Sequence, residues 1–308
     1  MPVLIDNSDI TDPAVNLALE EYCLTALALD QAYVLLTVND PTVVVGKHQC
    51  VFAEANLTNA DRMGIRIIRR ISGGGAVYHD GGNLNFSFID AFDRSRFGDY
   101  AAFLRPVVDT LHGLGVPVSF GGKSDLLING SKVSGNAQYA NTHRMLCHGT
   151  LLFDARIDRL QSVLTPSAVL MAARGVPSVR SAVTRIRDHL PVDMDMPAFI
   201  RAIRDGIKQR IPVTARRSLE PADWERIHRL AEDKYRRWEW NIGRSPWCRM
   251  RYRMPGLRGA FQPVVVDVDR GLITRVETAD GSRCGEDWEG RRFEDLLNVG
   301  NAAPKGAV

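Results

Sequence analysis

The chain has 308 residues, 45% of them hydrophobic and 24% charged, which is enough apolar material for one large domain and a smaller one. A net charge of +3 gives no footing for a nucleic-acid or membrane partner. No apolar run approaches the ~20 residues of a membrane span, the acid-bearing start "MPVLIDNSDI" reads as no signal peptide, and the scattered Cys23, Cys50, Cys147, Cys248 and Cys284 form no CxxC pair, which argues against a disulfide scaffold or a zinc site and fits a reducing, cytoplasmic setting.

In chain order, Asp12-Pro13 opens a helix: a capping acid, then proline at the first helical position. "AYVLLTV" and "TVVVG" are strands about a Pro41 turn. "LTNADRMG" is a short helix, "IRIIRRI" returns to strand, and "NLNFSFI" alternates like another strand. "YAAFLRPVVDTLHGLG" is helical, with Pro106 costing a hydrogen bond or marking a kink. "SDLLINGSKVSGNAQ" is a hairpin about Asn129-Gly130, a type I′ signal, and "HGTLLFDA" is a strand. Beyond about residue 155 the chain turns helical. Thr165-Pro166 starts one helix; "MPAFIRAIRDGIKQR" and "PADWERIHRLAEDKY" are amphipathic ones. "FQPVVVDVDRGLITRVET" is a hairpin, "RRFEDLL" a last short helix, and "NVGNAAPKGAV" a frayed tail. Hairpins among helices indicate an α+β fold, a mixed sheet flanked by helices, with a boundary near residue 246.

The stretch with most to say is "RRISGGGAVYHDGGNLNFSF", residues 69–88, a glycine loop after a strand. It is no Rossmann fingerprint, because Tyr78 stands at the third glycine position and strand comes next. "GGKS" at 121–124 imitates the end of a Walker loop, but Pro117 stands where its first glycine belongs. There remain a tight turn, or a bare backbone whose N–H groups approach an anion, helped by Arg69 and Arg70. The string Tyr78, His79, Asp80, Asn83 and Asn85 favours the second, since a mere turn needs none of them.

These residues resemble the signature of lipoate–protein ligases and related lipoyltransferases. "PTVVVGKHQ", "SDLLINGSKVSGNAQ", "HGTLLFD", "GVPSVRSAVTRI" and "KYRRWEWNIGRSP" agree in the right order. The resemblance implies the biotin/lipoate ligase catalytic fold over residues 1–246, and a shortened C-terminal α/β accessory segment over 247–308. It implies a reaction in which lipoate attacks the α-phosphate of ATP and a lysine of a lipoyl domain then takes the acyl group from lipoyl-adenylate. By the same resemblance, Arg70, Gly73, Gly74, Gly75, Ala76, Val77, Tyr78, Asn83, Asp125 and Lys132 hold the nucleotide. Arg70, Gly75, His79, Lys132, Gly135, His148 and Gly149 hold lipoate. Lys132 is the catalytic residue, an ammonium placed to neutralise first the attacked phosphate and then the oxyanion. Asp125 carries Mg2+, orients Lys132, or is a hairpin-edge charge. His79 and His148 line the acyl site, steer a phosphate, or only bond backbone. Acceptors would be the glycine-cleavage H protein or an oxo-acid dehydrogenase acyltransferase subunit.

Departures from the family pattern are "GGKSD" where "GRND" is usual, with Lys123 near the arginine's place, and Cys147-His148 where two histidines are usual. Two rivals share much of the pattern: a transferase using preformed lipoyl-adenylate, and an amidotransferase working through a cysteine thioester, for which Cys147 is the candidate near the site. The GRGRxGR loop of biotin ligases is missing.

Overall fold

A computed structural model describes every residue except 1, 8, 29, 123, 167–168, 212–214, 256–260 and 302–308, so Lys123 and the end of the tail lie outside the described residues. Strand β1 (Val3–Asp6) leads to helix α1 (Pro13–Thr25), whose first turn holds Pro13 and whose Ala14 amide donates to the Asp12 carboxylate. Strands β2 (Tyr33–Val38) and β3 (Thr42–Val45) precede the short helices α2 (Val51–Glu54) and α3 (Leu57–Arg62). Then come β4 (Arg66–Arg69), β5 (Val77–His79), β6 (Asn83–Ala91) and helix α4 (Tyr100–Gly113), which runs on through Pro106. Next are strands β7 (Ser119–Gly121), β8 (Asp125–Ile128), β9 (Ser131–Ala140) and β10 (Arg144–Leu152), and then helix α5 (Ile157–Val163).

Where a helix is expected after Thr165-Pro166, the structure has a strand instead, β11 (Val169–Ala173). Its partner β13 (Cys248–Pro255) lies far ahead in the chain, with Leu170 opposite Met250. A short apolar run carries no period of its own, so a free sheet edge decides its state. Between the two come helix α6 (Met196–Arg210), strand β12 (Ala215–Arg216), α7 (Pro221–Leu230) and α8 (Trp238–Asn241). After β13 the chain continues through β14 (Phe261–Asp269), β15 (Leu272–Thr278) and α9 (Phe293–Asn301).

Among the described residues three sheets result, in the orders β12-β1-β2-β6-β10-β9-β8-β7, β11-β13-β14-β15 and β4-β3-β5. This is the mixed-sheet α+β architecture read from the sequence. Strand alternation gives the large sheet two unlike faces. Leu84, Phe86, Phe88, Met145, Cys147 and Leu151 lie under α4 and α6 in one apolar core. Tyr33, Leu35, Ile89 and Leu146 face α1 and α7 in a second. Further along that second face the register brings Thr37 and Thr150 beside Asn85, and Leu35 and His148 beside Ser87. Apolar cover stops there, and the polar strip becomes the floor of a cavity. The β4-β3-β5 sheet forms its roof, and the roof's outer side shares a third core with β13, β14, β15 and α9.

Candidate active site

The cavity measures about 620 Å³. Its floor is Thr37, Asn85, Ser87, His148 and Thr150; its roof is Val44, Val77 and the glycine loop; α1 supplies Asn16, Leu17 and Glu20; Asp125 and Lys132 stand at the opposite end. A smaller chamber of about 230 Å³ opens beside Lys132 and Gly135 and is walled by Val77, Leu152, Leu160 and Leu164, with Arg180 at its side.

The glycine loop is held from within by Arg70. Its guanidinium donates to Ser72 Oγ (3.0 Å), Val44 O (3.2 Å), Gly73 O (2.6 Å) and Gly75 O (2.8 Å). With its carbonyls drawn toward the arginine, the loop's backbone is fixed beside the cavity. Burial, offset in part by Glu20, lowers Arg70 to about 10, which leaves it charged at neutral pH. Gly74 has φ +88°, open to glycine at little cost, and a Cβ on Gly46 would overlap the Gly74 carbonyl. From outside, Ser178 Oγ accepts from the Ala76 amide at 2.8 Å and is itself held by Gln49 Nε2 at 3.0 Å.

Arg69, expected to help Arg70 bind an anion, does not reach the cavity. Neighbouring residues on a strand face opposite ways, and Arg69 is fully buried on the far side. There it donates to Gly46 O and Gln49 O, both at 2.8 Å, and to Asn241 O at 3.0 Å.

Lys132 is the second residue of β9, just after the Asn129-Gly130 turn, whose φ values of +50° and +81° fit a type I′ hairpin. The β8–β9 register slips between Leu126 and Leu127. This irregularity changes the strand's parity, as a bulge does. Val133 then enters the apolar core while Lys132 and Gly135, three apart, both line the cavity. Lys132 Nζ lies 2.9 Å from Asp125 Oδ1, and the lysine's backbone is bonded to Ala182 O and the Thr184 amide. A Cβ on Gly135 would come within 2.9 Å of that ammonium. The charged partner of Asp125 in the structure is this lysine.

His148 bridges two elements. Nδ1 is 2.8 Å from Glu20 Oε1 and Nε2 is 2.7 Å from Ser72 Oγ. Ser87 Oγ donates to the same Glu20 oxygen at 2.6 Å. Burial alone would raise the Glu20 carboxyl, but His148, Ser87 and Arg70 together hold it below the usual carboxylate range. His79 packs under the roof with Nδ1 2.9 Å from Asn39 Nδ2. A Cβ on Gly149 would overlap the Asn136 side chain, so the backbone there must stay bare.

The structure thus brings Arg70, Gly74, Gly75, Ala76, Val77, His79, Asp125, Lys132, Gly135, His148 and Gly149 to one cavity wall or another. It does not bring Gly73 or Asn83 to that wall; Asn83 is fully buried and donates to Asn85 Oδ1 at 2.8 Å, while Tyr78 lines only the smaller chamber. Cys147 lies in the apolar core on the other face of β10, and burial pushes its thiol up to about 12. A thiolate nucleophile is not available there.

Sequence reasoning missed Glu20, Ser72, Ser87, Asn39 and Ser178. Ser87 was legible, since it continues the alternate positions Asn83 and Asn85. Glu20 had a signal too: a carboxylate at helical spacing from Leu17 and Leu24, on a face otherwise apolar. Ser178 and Asn39 had none, because their partners come from distant segments.

Comparison with known proteins identifies the family and the fold. The family model "Lipoyl protein ligase A/B catalytic domain" matches residues 12–208. A lipoate-protein ligase of Bacillus subtilis is 42% identical over 246 residues, spanning 79% of this chain and 74% of that one. A crystal structure of lipoate-protein ligase A bound with ATP has a TM-score of 0.66 at 25% identity, covering 79% of this chain and 99% of the other. A bi-partite lipoate protein ligase of Thermoplasma acidophilum, described with its E2 lipoyl domain, shares the fold at TM-score 0.68 and 24% identity, with 79% and 96% covered.

Proposed function

The chain belongs to the lipoyl protein ligase A/B catalytic family, and from that premise we propose that it ligates lipoate to a lipoyl-domain lysine in two steps, through lipoyl-adenylate. One observation carries the reading: a cavity joins a carbonyl-braced glycine loop to the Lys132 ammonium, with a greasy chamber beside it.

In the first step lipoate's carboxylate attacks the α-phosphate and pyrophosphate leaves. In the second, the acceptor lysine's amine attacks the anhydride carbonyl, AMP leaves, and the amine's proton is lost. Negative charge gathers on oxygen in both. N–H groups of the loop and the Lys132 ammonium are fixed donors for it, and fixed donors cost no reorganisation at the moment of reaction. Asp125 orients the lysine. The chamber of Val77, Leu152, Leu160 and Leu164 takes the adenine, with Arg180 beside the ribose or phosphates. The floor and α1 take the acyl chain, with His148 keeping loop and floor in register. Among the described residues no three His, Cys, Asp or Glu side chains cluster as a full metal cage would. A lone carboxylate suits Mg2+, which draws its other ligands from phosphates and water. Asp125 would hold it, and when bound it would offset triphosphate charge.

Residues 1–246 serve as the catalytic unit and 247–308 as an accessory segment whose sheet β11 joins. Acceptors are lipoyl domains, in particular the glycine-cleavage H protein or an oxo-acid dehydrogenase acyltransferase subunit. No helix among the described residues is long and apolar enough to cross a membrane, and the cysteines are free thiols, which supports the cytoplasm as the setting. The test is to incubate the protein with lipoate, MgATP and an apo lipoyl domain and weigh the domain. A lipoyl increment that requires ATP is expected. An increment obtained only from supplied lipoyl-adenylate would leave the transfer step and remove the first one.

A further inference from the structure

Three loops meet beside the cavity: residues 46–50 after β3, 174–177 after β11 and 243–247 before β13. Gly175 sits at their meeting point. A Cβ there would lie 3.2 Å from His48 O and Cys50 N and 3.3 Å from Pro246 Cγ. The Val176 amide donates to His48 O at 3.3 Å, and the Arg174 amide to Trp247 O at 2.9 Å. Beneath them the buried Arg69 guanidinium donates to Gln49 O and to Ser245 Oγ, tying the first loop to the third.

Each loop brings a cation to this junction. Lys47 Nζ is 5.3 Å from the centre of the Tyr139 ring, the Arg174 guanidinium 5.6 Å from that of Trp247, and the Arg244 guanidinium 5.0 Å from that of Trp240. Arg174 and Arg244 are exposed and Lys47 is half-buried. Among the described residues none of the three has a carboxylate within ion-pairing distance, not even Glu239, the exposed acid whose backbone touches Gly243. Arg185 and Arg187 show the contrast, both being paired with Asp154. A carboxylate partner fixes a cation and cancels its charge. A ring face fixes the side chain and leaves the charge available.

Position says what the charge is available for. The exposed residues among those lining the cavity mark its rim: Gly122, Gly130, Val176, Pro177, Val179 and Ser181. Val176, 53% exposed, is two residues from Arg174, at most about 7 Å along the chain. Lys47 borders the glycine loop, since its amide donates to Ser72 O at 2.8 Å and a Cβ on Gly46 would overlap the Gly74 carbonyl. Yet Lys47, Arg174 and Arg244 line neither the cavity nor the smaller chamber, so they are not placed to hold a small substrate inside. A protein domain is another matter. A specific interface covers about 800 Å² a side, roughly 30 Å across. A domain that sends a lysine in past Val176 therefore lies on the junction as well. Cations at the edge of an interface speed encounter and select partners by sign.

We propose that Lys47, Arg174 and Arg244 form the docking face for the acceptor domain, and that the acceptor presents Asp and Glu side chains beside the lysine it offers. The proposal rests on the ligase reading of the cavity and concerns the second step alone.

The test runs the two steps apart with the full chain. Adenylation is followed as pyrophosphate released from lipoate and MgATP. Transfer is followed by weighing an apo lipoyl domain of an oxo-acid dehydrogenase acyltransferase subunit supplied with lipoyl-adenylate. Arg174→Glu combined with Arg244→Glu should raise KM for the domain about tenfold or more, with kcat of transfer within about twofold and adenylation unchanged. Adding Lys47→Glu should raise it further. Arg174→Lys with Arg244→Lys, which keeps the charge, should stay close to the unaltered protein. KM of the unaltered protein for the domain should rise between about 50 and 300 mM NaCl, and that of the glutamate variant should not. An unmoved KM in the glutamate variant, or a KM of the unaltered protein that ignores salt, overturns the proposal. So does a rise in KM for MgATP alone, which would give the cations to the nucleotide. An equal loss in the lysine variant would make the contact one of packing and overturns it too. Transfer without pyrophosphate release would remove the first step and leave the docking test intact. If the unaltered protein neither releases pyrophosphate nor modifies the domain, the ligase reading falls, and the docking face with it.

Discussion

Lys132 sits at the junction of two chambers and 2.9 Å from a carboxylate. Removing one fixed donor to a developing oxyanion costs about a hundred- to a thousandfold in rate. Lys132→Ala should lose at least that much in both adenylation and transfer. Its melting temperature should stay close to that of the unaltered chain, because the side chain is part of no core. Transfer at full rate would defeat the assignment. Gly135→Ala is a finer probe. The added methyl meets only the far end of a flexible side chain, so folding should tolerate it while the ammonium moves. Small misplacements at a reacting centre can cost about a hundredfold, and a drop in kcat of tenfold or more with unaltered stability is expected. Arg69 and Arg70 were equivalent as letters. Strand alternation separated them, one to a buried brace between loops and the other to the cavity roof.

At the scale of the elements, α1 does more than cover the sheet. Through Glu20 it reaches His148 on β10, and through His148 it reaches Ser72 of the glycine loop. Thus one helix, one strand and one loop are registered by a single carboxylate. Its pKa is lower in the folded chain than in the unfolded one. The stabilisation is therefore complete above the ordinary carboxylate range and is lost as pH falls through the folded value. Asp12, capping the same helix and paired with Arg236 and Arg66, is held low against the effect of burial and adds in the same sense. Melting temperature should decline as pH drops below about 4. Glu20→Gln should flatten part of that decline and leave the neutral-pH plateau lower, as thermal melts between pH 3 and 7 would show. A variant with the original slope would remove Glu20 from this role. The glycine loop, the Asn129-Gly130 hairpin and α1 were readable because local chemistry sets each: bare backbone, positive φ, a capping acid. β11 was not, because its state depends on an edge that forms some eighty residues later.

Across the whole molecule, the third core ties the accessory sheet to the roof of the site. Met250 on β13 is fully buried in it with Val45, Phe52 and Val266. Chain segments that share a core unfold together. A single calorimetric transition is expected, and Met250→Ala, at about 2–5 kcal/mol for a buried methionine, should shift it as one peak. Two separate transitions would show that the accessory sheet is energetically independent of the roof.

The sequence by itself determined the α+β class, the family, the glycine loop and the lysine that reaches the cavity, since short motifs and local backbone chemistry carry all of these. Only the tertiary structure decided which arginine faces the cavity, that Glu20, Asn39 and Ser178 belong to the site, and that Cys147 does not. Each depends on which face of a strand a side chain takes, or on a partner from a distant segment, and neither is set until the sheets close on one another.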